Sequence, residues 1–139
     1  MSTVRSVFVD TSGWYALFDQ HDATHERAVA LIRRLVTART SLVTSDYVID
    51  ETATLLKART GSQTARRWFD YLDQATTLDR EWVGSDRFEA ARALFVKLAD
   101  QGHSFTDCTS LVIIRERKIA EVVTTDRHFR VTGLRPLLL

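Results

Sequence analysis

The chain has 139 residues, 45% hydrophobic and 27% charged, which is the size and balance of one compact domain around a single core, expected to span residues 1–139. Its apolar runs, such as Leu111 to Ile114, fall far short of the about 20 residues that cross a bilayer, and no basic region followed by an apolar block opens the chain, so a soluble, cytoplasmic protein is expected. The single cysteine, Cys108, excludes an internal disulfide and a thiolate metal cluster, and a formal charge of +1 selects no partner by itself.

The first apolar run, "SVFVD", is short, β-branched and aromatic, without alternation, as in a strand buried on both faces of a parallel sheet. Asp10 ends it, and "TSGWYALF" opens a helix with Thr11 or Ser12 as its cap. A second helix is predicted from about Thr24, with Ala28, Leu31, Ile32 and Leu35 at helical spacing, and "SLVTS" reads as the second strand. Two helices follow, around Asp46 to Arg59 and Ser62 to Gln74, parted by Gly61. "TTLDREWV" holds a third strand. Phe88, Ala91, Leu94, Phe95 and Leu98 mark a helix from Asp86 to about Leu98 that stops before Gly102. Then come a helix opened by "SFTDCTSLVII", a strand in "EVVTT", a turn at "DRHF" and a last run, "LRPLLL", in which Pro136 permits an edge strand at best. Helices alternating with short apolar strands define an α/β fold in three layers, α/β/α, around a parallel sheet of four to five strands.

Four acids occupy related places in that plan. Ligands of open parallel sheets bind at the carboxyl ends of the strands. Asp10 closes the first strand and Asp126 closes "EVVTT", so both are expected at one edge. Asp107 opens a helix that starts at the same edge only if "ADQGHSF" carries the chain back to it. Glu51 borders the apolar stripe of Val48, Thr52, Leu55 and Leu56, whereas its neighbour Asp50 points away. Taken singly, the aspartates are accounted for as helix caps and Glu51 as half of an ion pair with an arginine. Together, carboxylates in one pocket bind Mg²⁺ or Mn²⁺. If these four of the 18 acids gather there, the 19 basic side chains outnumber the rest by five, as suits a polyanion handled with metal ions.

At these residues the chain resembles a known family. "VFVDTS", "YVIDETATLL", "SFTDCTSL" and "TTDRHF", with "DATHERA" and "HFRVTGLRPL", are similar to the PIN domain family, in particular to the VapC-type ribonuclease toxins of toxin–antitoxin pairs. The resemblance covers nearly the whole chain. It implies a Mg²⁺- or Mn²⁺-dependent endoribonuclease, held in check by an antitoxin protein and commonly a homodimer. It carries the family's acidic residues onto Asp10, Glu51, Asp107 and Asp126, and its small hydroxyl position onto Ser12, with Thr11, Thr106 and Thr125 as weaker candidates for supporting hydrogen bonds. In chemical terms, such an ion polarises the scissile phosphate and lowers the pKa of a bound water.

Phosphotransfer folds also place an aspartate after the first strand. Haloacid-dehalogenase-like phosphatases put a second aspartate two positions on, where this chain has Ser12. Receiver domains need a lysine near the last strand, and the late Lys118 precedes "EVVTT". A non-catalytic binding module whose acids merely cap helices is the remaining alternative. The histidines, His21, His25, His103 and His128, share no metal-ligand spacing and are expected to be exposed or capping. Arg127 and Arg130 are open between phosphate contacts and a solvated turn. Trp14 and Tyr15 are expected in the core or at a dimer surface, ahead of stacking on bases.

Overall fold

Strand β1 (Ser6–Val9) runs through the centre of the computed structural model, which describes residues 4–139. Val7, Phe8 and Val9 are fully buried, as an apolar run without alternation requires when both faces of a strand are covered. The elements then follow in order: α1 (Thr11–Phe18), α2 (His25–Thr37), β2 (Ser41–Ser45), α3 (Asp46–Thr60), α4 (Ser62–Gln74), β3 (Leu78–Glu81), α5 (Gly84–Lys97), α6 (Phe105–Glu116), β4 (Glu121–Val123), a 3-10 helix (Arg127–Thr132) and β5 (Arg135–Pro136).

The five strands form one parallel sheet in the order β3-β2-β1-β4-β5, with the helices as outer layers of an α/β/α sandwich. From β1 the chain builds outward through β2 to β3. It then returns to the other side of β1 for β4 and β5. The strand order therefore reverses between β1 and β4, and the crevice at a reversal point is where parallel sheets hold ligands. Pro136 lies in the edge strand β5, where a missing N–H costs no ladder bond on the outer side.

Two local features fix the geometry of that crevice. Gly13, in the first turn of α1, packs against β4 so closely that a Cβ would lie 2.3 Å from the Val123 carbonyl oxygen. Helices α5 and α6 form an antiparallel hairpin. Arg87 near the start of α5 bonds Glu116, the last residue of α6, at 2.9 Å, while Phe95 near the end of α5 stacks on Phe105, the first residue of α6. That return brings the start of α6 back to the ends of β1 and β4. Phe88 and Phe95 serve the hairpin as partners of Phe105 and remain part exposed, whereas Ala91 and Leu94 are buried.

Three expectations need correction. The residue capping α1 is Asp10, not Thr11 or Ser12, and its carboxylate makes no capping bond to the helix. "EVVTT" is strand only through Val123; beyond it the Thr124 hydroxyl donates to Asp10 and the Thr125 amide to Ser12. "DRHF" leads into a 3-10 helix, with the Asp126 side chain accepting the His128 amide.

Candidate functional site

A cleft of about 450 Å³ opens at the carboxyl ends of β1 and β4. Asp10, Glu51, Asp107 and Asp126 all line it, each from a different element, together with Ser12. Glu51 reaches it from the middle of α3, half-buried and, among the described residues, without a hydrogen bond or ion pair. The arginine partner that would account for it structurally is therefore missing. Asp50 beside it is exposed.

Hydroxyl groups hold Asp10 from beneath. Its Oδ2 accepts from Thr124 Oγ1 at 3.0 Å and from Ser12 Oγ at 3.2 Å, and the two hydroxyls lie 2.9 Å apart. Ser12 Oγ also accepts the Thr125 amide and Thr124 Oγ1 the Asp126 amide, each at 3.0 Å. The network ties β1 to the segment after β4. Ser12 thus joins the Asp10 carboxylate to the Thr125 amide. Among the threonines the part belongs to Thr124, whereas Thr125 contributes its backbone, Thr106 its carbonyl to Thr109 and Ser110, and Thr11 Oγ1 is buried without a partner among the described residues.

Asp107 caps its helix and also faces the cleft. It closes a capping box with Ser104, each side chain accepting the other's amide at 3.0 Å, and it still lines the cleft. Burial raises its pKa, the Ser104 amide opposes the shift, and the charge of Asp126 adds to it. Asp10 is more strongly affected. Burial, then the negative charge of Asp107, push its pKa up to about 7, against the lowering bond from Thr124.

An all-oxygen set of carboxylates and hydroxyls suits a hard divalent cation, and acids driven toward protonation by burial and, secondarily, by one another are what such a cation relieves. Among the described residues no three His, Cys, Asp or Glu side chains are disposed to enclose an ion as they stand. By donor chemistry the residues fit the ion.

Several lining residues escaped the sequence reading. Tyr15, expected in the core or at a dimer surface, lines the cleft with the Arg59 guanidinium 5.3 Å over its ring, whereas Trp14 is fully buried in the core. Asp22, inside "DATHERA", also faces the cleft. His128 Nδ1 lies 2.8 Å from Asp126. His103 is buried, edge-on to His128 at 5.6 Å, with neither ring nitrogen bonded among the described residues, so the expectation of an exposed or capping histidine fails there. What brings these residues to the cleft is tertiary contact, which one sequence does not display. Arg127 and Arg130 are exposed, and Cys108 is buried among Leu and Ile as a small apolar side chain. Among the described residues Lys118 lines no part of the cleft, which removes the receiver-like alternative.

An acidic cleft at the reversal point of a short parallel sheet is the arrangement of a PIN domain. The PIN domain model matches residues 7–134, and the chain belongs to that family. Among curated relatives, the 23S rRNA-specific endonuclease VapC20 of Mycobacterium tuberculosis is 34% identical over 128 residues, 91% of this chain and 94% of the relative. The crystal structure of VapC20, described as a sarcin–ricin loop cleaving toxin, superimposes with a TM-score of 0.81 at 32% identity, covering 92% of this chain and 95% of that one. The DNA-bound VapBC of Salmonella typhimurium, at 13% identity with a TM-score of 0.67 over 96% and 97% of the two chains, shares the fold.

Proposed function

We propose that the chain, as a single PIN domain, is a divalent-metal-dependent endoribonuclease and the toxin of a type II toxin–antitoxin pair. The observation that carries this reading is the convergence of Asp10, Glu51, Asp107 and Asp126 on one cleft, from four elements whose own stability requires no such meeting. Asp10, Glu51 and Asp107 are read as the residues that hold Mg²⁺ or Mn²⁺, with Asp126 completing the set or orienting the attacking water. When bound, the ion supplies charge neutralisation at the scissile phosphate and a more acidic water. The protein's own part is to position. Ser12 and Thr124 fix the Asp10 carboxylate, the capping box fixes Asp107, and the 3-10 helix holds Asp126 through its bond to the His128 amide.

Likeness to VapC20 makes a structured loop of ribosomal RNA the first substrate to try, and an antitoxin protein the expected inhibitor. Among the described residues no helix is long and apolar enough to cross a membrane. A homodimer belongs to the same reading. Inducing the chain and its Asp10→Asn variant in cells, with and without the genomic neighbour, and mapping the cut RNA ends tests it. Cuts dependent on Asp10 and suppressed by the neighbour are expected. Identical RNA from parent and variant would reject the nuclease assignment.

A further inference from the structure

Beside the acidic cleft, and sharing Arg59 with it, lies a second cavity of about 500 Å³. Its wall is built from the turn between α1 and α2 with His21, from His25 at the start of α2, from the last turn of α3 with Arg59, and from Arg67 in α4. The charges in it are unevenly matched. Arg59 and Arg67 are exposed and, like several other arginines, have no ion pair among the described residues; what distinguishes them is that both line this one cavity. The acid in the cavity, Asp19, already accepts the Tyr15 hydroxyl and the His21 amide. Two arginines therefore face one occupied carboxylate.

Their side chains are also held in place. The Arg59 guanidinium sits over the Tyr15 ring at the border of the two cavities, and Arg67 Nη2 donates to Thr64 Oγ1 at 3.1 Å. Guanidinium groups fixed in this way and still carrying free N–H donors are suited to phosphate oxygens. An RNA strand whose scissile phosphate lies among four acids needs compensating cations close by. Arg59 lines that cleft itself, and Arg67 lies beyond it in the second cavity.

We propose that this second cavity is a phosphate subsite for the RNA strand on one side of the cleavage position, with Arg59 contacting the phosphate nearest the cleft and Arg67 the one beyond. The proposal rests on the nuclease reading. It deepens that reading by giving the strand a direction of exit, over Tyr15 and between α3, α4 and the α1–α2 turn.

The test is binding of a short single-stranded RNA to the Asp10→Asn protein in Mg²⁺ across a salt series, with Arg59→Gln plus Arg67→Gln added. Each lost phosphate contact to a single strand lowers the slope of log affinity against log salt by about 0.7, so the double variant should lose roughly 1.4 from the slope. The matching Arg59→Lys, Arg67→Lys pair should keep most of it. Arg27→Gln with Arg34→Gln on α2 removes equal charge outside both cavities and should leave the slope near the parent's. A cooperative melt at a temperature close to that of the Asp10→Asn parent shows that the Gln pair is folded. If the parent binds RNA steeply and the Gln pair matches it, or if the α2 pair loses as much, the subsite is overturned while the nuclease reading stands. If the Asp10→Asn parent binds a structured ribosomal loop but not the single strand, the subsite alone is overturned; if it binds neither, the nuclease reading fails and the subsite falls with it.

Discussion

Asp10 bears the electrostatic cost of the cleft, because it combines near-complete burial with a like charge at Asp107. The metal-free native state holds its proton more tightly than the unfolded chain, whose aspartate titrates near 3.8. That contribution is fully present below about pH 4 and is lost as pH rises through about 7, a change on the order of 4 kcal/mol at most. In chelator, melting temperatures of the parent should therefore fall between pH 5 and pH 8 more steeply than those of Asp10→Asn. At pH 8 the variant should be as stable as the parent or more so, since Asn keeps the shape and accepts from Ser12 and Thr124 without the charge. It should also lose RNA cleavage and most of the stabilisation conferred by Mn²⁺. Parallel melts with chelator and with Mn²⁺, beside a cleavage assay, decide this. A variant cutting at the parental rate would remove Asp10 from the site. The sequence displayed Asp10 and Ser12 because both follow an unmistakable strand. It did not display Thr124, since choosing between adjacent threonines requires knowing which way the chain turns as β4 ends.

At the scale of elements, α6 separates capping from function. Ser104→Ala removes one arm of the capping box and should cost about 1 kcal/mol of stability, read as a lower melting temperature, with cleavage largely retained. Asp107→Asn keeps a competent cap and should abolish cleavage. Equal losses of activity in the two would make Asp107 a structural residue. Helix α1 makes a different demand. Gly13→Ala drives a methyl group into the Val123 carbonyl, so α1 and β4 must separate, at a cost of roughly 3 kcal/mol. Its loss in melting temperature should exceed that of Ser104→Ala by severalfold, and a melt within a degree of the parent's would show that the close approach is tolerated. The strands β1 and β2 and the helices α2, α3 and α4 were legible because burial there follows local periodicity. The direction of α5 relative to α6 was not. Periodicity marks a helix but says nothing of which way its neighbour runs, and Asp107 depends on that for its place.

For the whole molecule, apolar side chains remain exposed along the segment from β3 through α5, among them Trp82 at 66% and Val96 at 70%. A second copy of the chain seated along α5 would cover such side chains. In the dimer reading, sedimentation should show a two-chain particle, and Val96→Glu should shift it toward the single chain without altering the Mn²⁺-induced rise in melting temperature. A parent that sediments as one chain at high concentration would refute it.

The same architecture sets a timetable. Thr124 and Asp10, bonded beneath the cleft, lie 114 positions apart, and β1 acquires its neighbour β4 only when most of the chain exists. At ordinary translation speeds the interval between the first acid and the last is on the order of ten seconds. Throughout it, the emerging polypeptide holds its acids on unconnected pieces. In the nuclease reading, a chain of this design cannot assemble its cleft, and so cannot cut, until β4 has been made and paired with β1.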